Sequence, residues 1–114
     1  MSVDLSGFTG TENYYRHPFT KSLYTDGVKY FADEAGAYWF IDFVMTECDS
    51  LVKSEGFLTI LLDVKDGQAM IEVRDGDGIN FVERRIDYTD CPEGKYKFYF
   101  IYGEPTVLLV ASEY

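Results

Sequence analysis

The spacing of hydrophobic positions changes near the middle of the chain. From Asp26 to about Lys53 they recur at helical intervals, and from Phe57 onward they alternate as in strands. Asp26 is placed to cap a short helix over VKYFADEA (28–35), whose Val28, Phe31, Ala32 and Ala35 share one side. Gly36 interrupts that pattern, and a longer helix is expected from about Ala37 to Val52. At ~100° per residue, Ala37, Phe40, Ile41, Val44, Met45, Cys48, Leu51 and Val52 form one apolar stripe. Asp42, Thr46, Glu47, Asp49, Ser50 and Lys53 take the opposite side. Trp39 and Phe43 fall on that polar side too, four residues apart and therefore neighbours.

The second half reads as an antiparallel meander. FLTILLDV (57–64) sets Leu58, Ile60, Leu62 and Val64 on one face, and Asp66-Gly67 is a strong two-residue hairpin signal. AMIEVRD (69–75) alternates Ala69, Ile71 and Val73 with Met70, Glu72 and Arg74. After a GDG turn, INFVERRID (79–87) loses its alternation around Val82–Arg84, the mark of a bulge or an edge strand. KYKFYFIY (95–102) alternates again, and Gly103-Glu104-Pro105 turns into a last strand, TVLLVAS. Helices followed by strands, with no helix between strands, predict an α+β fold. The expectation is an N-terminal arm and helices packed on an antiparallel sheet of four to five strands, in a single domain over residues 1–114.

A Trp–Phe pair on a polar helix face needs a cover, and the arm TGTENYYRHP (9–18) supplies the right surface in Tyr14, Tyr15 and Pro18. Three arrangements stay open. The arm folds back as a lid, or arm and pair together form an aromatic patch for another molecule. In the third, a homodimer, each arm covers its neighbour's helix.

Composition narrows the class of partner. The chain has 114 residues, enough to bury roughly two-thirds of its unfolded surface without a disulfide or metal. Its formal net charge of −10 argues against direct binding to nucleic acid, which draws its affinity from clustered Lys and Arg. The charge serves solubility, or it serves docking onto a basic surface. Carboxylates concentrate between Asp26 and Asp66, against only Lys29, Lys53 and Lys65. MSVDLSGFTG lacks the basic and apolar regions of a signal peptide, and no apolar run reaches the ~20 residues that span a bilayer. A cytoplasmic protein with no membrane partner is expected.

Catalytic patterns fail when tested. DGDGIN (75–80) opens like a calcium loop, but the fifth position is Ile79 and the twelfth Ile86, where oxygen ligands are required. His17 is the only histidine, and Cys48 lies in the apolar stripe, a poor setting for a thiolate. No serine sits in a nucleophile elbow, and phosphate-binding glycine loops, CxxC and HExxH are absent. No cofactor, metal or catalytic residue is expected.

YTDGVKYFADEAGAYWFID (24–42), preceded by TGTENYYRH, resembles a domain-of-unknown-function family of bacteria, phages and mobile elements. The resemblance reaches the terminal VLLVASEY and carries no catalytic or cofactor residue. It implies a small cytoplasmic protein of mobile-element context, where small acidic inhibitors of host defence occur.

The leading expectation is therefore a non-enzymatic interaction protein, an inhibitor docking on the basic surface of a nucleic-acid-processing defence complex. Its surface combines Tyr14, Tyr15, Arg16, Trp39 and Phe43 with Asp42, Glu47 and Asp49. The rival is a ligand-binding or enzymatic domain with a pocket between helix and sheet, lined by Tyr96, Phe98 and Tyr102. A structural homo-oligomer is the third class.

Overall fold

Alternation produces strands where it was expected, and tertiary pairing adds two more. The computed structural model describes residues 5, 7, 10, 13–18, 20–75 and 79–114. β1 is Tyr14–Arg16 and β2 is Leu23–Thr25; β3 (Phe57–Lys65), β4 (Gln68–Arg74), β5 (Asn80–Ile86), β6 (Gly94–Ile101) and β7 (Val107–Val110) follow the helices. All seven belong to one sheet of order β1-β2-β7-β6-β3-β4-β5. The α+β class holds, with seven strands in place of four to five.

The sheet is also mixed rather than a pure antiparallel meander. β2 runs parallel to β7, with Leu23 opposite Val107, while every other neighbouring pair is antiparallel. β6 returns beside β3, Phe98 facing Ile60, so the meander extends only over β3, β4 and β5. Asp66 and Gly67 both have positive φ, 54° and 74°, and close the expected two-residue hairpin with Lys65 opposite Gln68. β5 is an edge strand with an irregularity: Val73 pairs Val82, but Arg74 pairs Asn80, leaving Phe81 as the extra residue. The GDG turn of residues 76–78 lies outside the described residues.

The helical half divides into α1 (Asp26–Ala35), α2 (Tyr38–Glu47) and α3 (Asp49–Glu55). Thr25, not Asp26, caps α1, its side chain accepting from the Val28 N–H. Asp26 becomes the first helical residue, where a carboxylate suits the positive end of the helix dipole. Gly36 ends α1 in the left-handed region at φ 61°. The expected single helix over 37–52 breaks at Cys48, whose φ −102° and ψ 3° leave helical geometry. That break turns α3 onto β3. The apolar stripe survives it: Ala37, Phe40, Ile41, Val44, Met45, Cys48 and Val52 are all buried.

The helices cover one face of the sheet. α1 lies on β2 and β7, α3 on β3, and α2 touches both other helices. Between the layers, Phe31 and Phe40 interlock with Tyr96 and Phe98, ring centroids 4.8–6.0 Å apart. The outer face alternates with this core and carries Phe57, Leu61, Met70 and Tyr99 beside Arg74, Arg85, Lys95 and Lys97. Tyr114 packs against both Phe57 and Tyr99 at 5.7 and 5.2 Å. Among the described residues, no helix is long and apolar enough to cross a membrane.

Candidate functional site

Among the described arm residues, Tyr14, Tyr15 and Arg16 do not form a lid over Trp39 and Phe43. Tyr14, Tyr15 and Arg16 form the edge strand β1, paired to β2 of the same chain. Tyr15 stacks on Tyr24 at 5.6 Å and donates its hydroxyl to Asp26 Oδ1 at 3.0 Å. That hydrogen bond to a carboxylate is the largest cause holding the Tyr15 phenol above its ordinary pKa. Tyr14 is exposed, as is Arg16.

His17 follows β1 and is buried, 2% exposed. Its Nε2 lies 2.8 Å from Asp42 Oδ1 on α2. The Thr20 N–H points at Nδ1 from 3.3 Å, so Nδ1 accepts and Nε2 donates to Asp42. Thr20 Oγ1 also stands 3.2 Å from Nδ1, giving a hydroxyl–imidazole–carboxylate chain. The same hydroxyl accepts from the Ser22 N–H, and His17 N bonds Ser22 O, so these groups close the 17–22 turn and tie it to α2. Sequence reasoning had no means to pair His17 with Asp42, which lies 25 residues away.

Trp39 and Phe43 lie on the flank of α2 next to β5. β1 and β5 are the two edges of the sheet, and α2 turns Asp42 toward the arm and its aromatic pair toward β5. The Arg84 guanidinium covers the Phe43 ring at 5.1 Å and comes within 3.9 Å of Glu47 Oε1. Trp39 borders a cleft of about 380 Å³ with Gly36, Ile86, Tyr88, Thr89 and Asp90. Both rings are half-buried against the core. The structure thus joins Trp39, Phe43 and Glu47 along one helix flank and leaves Tyr14, Tyr15 and Arg16 elsewhere. Asp49 is paired to Lys53 at 3.1 Å.

Charge is distributed by layer. The helices carry Asp26, Asp33, Glu34, Asp42, Glu47, Asp49 and Glu55 against Lys29 and Lys53. Both lysines are neutralised within the layer, Lys29 by Asp33 at 2.7 Å and Lys53 by Asp49. Asp33 is held below its ordinary pKa by its hydrogen bond from Lys29, then by one from Tyr38. Tyr38 donates that bond at 2.5 Å and is itself pushed up to about 12 by it. Glu34 and Glu55 have no cation within 4.0 Å among the described residues.

The expected pocket between helix and sheet is filled by its own residues. Phe98 and Tyr96 belong to the aromatic core, and the Tyr96 hydroxyl bonds Pro92 O at 2.7 Å. Tyr102 stands outside at 48% exposure. A trough of about 400 Å³ exists instead on the outer sheet face, over Leu61 and Asp63, between Lys95 and Lys97 on one side and Met70, Glu72 and Arg74 on the other. Cys48 and Cys91 are buried free thiols, pushed up to about 12 and about 11 by burial, which keeps both protonated and unreactive.

The sequence model of a family of unknown function (DUF6876) matches residues 1–114, and the chain belongs to that family. No curated protein and no solved structure matches the chain.

Proposed function

We propose that this member of the DUF6876 family acts by binding a protein partner with a basic surface, through the exposed side of its helix layer. The observation that carries this reading is the internal neutralisation of Lys29 and Lys53. Both lysines are engaged by carboxylates of their own helices, and the layer still presents Glu34 and Glu55 with no cation within 4.0 Å among the described residues, beside Glu47, which Arg84 of β5 reaches at 3.9 Å. Half-buried Trp39 and Phe43 at the β5 edge add the apolar contact that a charged surface alone lacks. Such a surface suits a site that otherwise holds nucleic acid, so the finer proposal is an inhibitor of a nucleic-acid-processing defence complex, of phage or mobile-element origin. Two buried free thiols fit a reducing compartment, the cytoplasm.

Charge reversal tests it without disturbing the fold. Glu34 and Glu55 sit in the last turns of α1 and α3, where a lysine suits the helix dipole. Capture of basic host proteins from nuclease-treated lysate is expected to fall at least ~10-fold for a Glu34→Lys/Glu47→Lys/Glu55→Lys variant, given the coupling of close charge pairs across interfaces. Unchanged capture overturns the acidic-layer reading. Asp42 and Asp49 are left intact in this test because they hold His17 and Lys53.

The trough on the outer face favours a second reading, a ligand with a negative group and an apolar body. Leu61 forms its floor, and Lys95 has no carboxylate within 4.0 Å among the described residues. Amide shifts in β3, β4 and β6 on titration with an aliphatic carboxylate, lost in Lys95→Glu, would support it; no shift sinks it.

A further inference from the structure

The cleft beside Trp39 has a composition that selects its occupant. One wall is the indole, half-buried on the first turn of α2, and the other is Tyr88, 77% exposed in the connection after β5. Ile86 and Gly36 complete the apolar lining, and Asp90 brings a carboxylate to the rim. Among the described residues, none that lines the cleft is cationic.

The connection that carries Tyr88 and Asp90 is anchored rather than loose. Thr89 between them is buried, its N–H bonds Gly67 O at 2.8 Å, and its hydroxyl accepts from the Cys91 N–H at 3.1 Å. Tyr88 donates its hydroxyl to Asp90 Oδ1 at 2.9 Å, which orients ring and carboxylate together. A second Asp90 oxygen remains for an incoming donor. Two aromatic rings and a carboxylate held by Tyr88 suit a planar cation: ring faces attract it through their quadrupoles, and the carboxylate accepts its N–H groups. An anionic group gains neither contact, and a neutral one lacks the charge that strengthens both.

We propose that this cleft is the anchor pocket for an arginine side chain of the basic partner, the guanidinium lying against Trp39 and Tyr88 and donating to Asp90. The inference rests on the acidic-layer reading and adds the residue recognised and the place where it docks. Arginine is preferred to lysine because its flat, weakly hydrated head stacks on a ring and presents several N–H donors in one plane.

Trp39 is the only tryptophan of the chain, so its fluorescence reports on the cleft alone. The full chain is titrated with a hexa-arginine peptide and with hexa-lysine, while amide shifts are followed over α1–α3. Expected are a saturable change in Trp39 emission with hexa-arginine, tighter binding than for hexa-lysine, and weakening of about 5- to 10-fold in Asp90→Asn and in Tyr88→Ala. Both variants alter exposed side chains, and circular dichroism checks that the fold is kept. Helix-layer shifts with no emission change, or with no effect of either variant, overturn the arginine pocket and leave the acidic-layer reading standing. Equal affinity for the two peptides overturns the guanidinium assignment. Absence of both shifts and emission change overturns the pocket and the surface together.

Discussion

Glu113 and Gly27 meet across 86 residues of chain, the Glu113 Oε2 accepting the Gly27 N–H at 3.2 Å. Its Oε1 takes the Thr25 hydroxyl at 2.6 Å and the Val110 N–H at 2.9 Å. A carboxylate from the terminal 3₁₀ turn Ala111–Glu113 therefore sits on the N-terminus of α1, where the helix dipole favours it. The approach is close enough to require glycine: a Cβ at Gly27 would stand 2.6 Å from Glu113 Oε1 and 2.9 Å from Val110 Cγ2.

Glu113→Ala is expected to lower stability by about 1–2 kcal/mol, the cost of a lost helix cap with its dipole interaction. Gly27→Ala is expected to cost about as much, since the added methyl expels the same carboxylate. The two changes should be less than additive in urea denaturation, because either one breaks the same contact. Full additivity would show that Gly27 tolerates a methyl without moving Glu113. Gly36→Ala supplies the contrast: nothing lies within 4 Å of its Cβ position, so its cost of about 1 kcal/mol comes from φ +61° alone.

The His17–Asp42 contact joins a buried ring to a carboxylate that is 67% exposed. Water replaces part of the lost interaction, so Asp42→Ala is expected to cost only about 1 kcal/mol. Asp42→Asn keeps an acceptor for Nε2–H and should retain most of that. Nitrogen chemical shifts of His17 check the arrangement directly, with Nε2 carrying the proton; a proton on Nδ1 contradicts it.

Alkaline pH should weaken the fold through its thiols. Desolvation, with a smaller contribution from Glu47, pushes Cys48 up to about 12, whereas an unburied thiol titrates near 9.0. Below pH 9 both folded and unfolded chains keep this proton, and the stabilisation is complete. Above it the unfolded chain ionises first, so stability declines until the folded thiol also titrates, at a slope of ~1.4 kcal/mol per pH unit for each such group. Cys91, pushed up to about 11, acts in the same direction. Unfolding by urea between roughly pH 9 and 10.5 is expected to show a shallower decline for Cys48→Ala than for the unaltered chain. Identical slopes would contradict a protonated Cys48.

Arg84 covers Phe43 as a cation over a ring, and Arg84→Ala is expected to cost about 0.5–1 kcal/mol. Its pair with Glu47 is long and exposed, so Glu47→Gln should change stability by less than about 0.5 kcal/mol. A larger loss in thermal unfolding would give Glu47 a structural role and remove it from the binding test.

Much of the fold was legible because its signals are local. Alternation in 57–64 and 69–75, the Asp66-Gly67 turn and the stripe from Ala37 to Val52 each depend on residues a few positions apart, and each was found buried or paired as expected. β1 and β2 are three residues long, too short to show alternation, and exist because β7 offers β2 a parallel edge. Their absence from the sequence reading made Tyr14 and Tyr15 look like spare aromatic surface. The site divided the same way. Trp39 and Phe43, assigned by helical spacing to the polar side, pack half-buried against the core, and their neighbours Arg84, Ile86 and Tyr88 come from the far edge of the sheet, beyond the reach of any local pattern.

By itself the sequence determined which of the longer stretches are helical or extended, which side of most of them is apolar, and where Gly36 and Asp66-Gly67 interrupt or turn the chain, since steric and solvation preferences act over a few residues. The order of the strands, the break at Cys48 and the placing of Glu113 on α1 were decided only by tertiary structure. Each of these depends on which distant surfaces bury one another, an energy that no single segment carries.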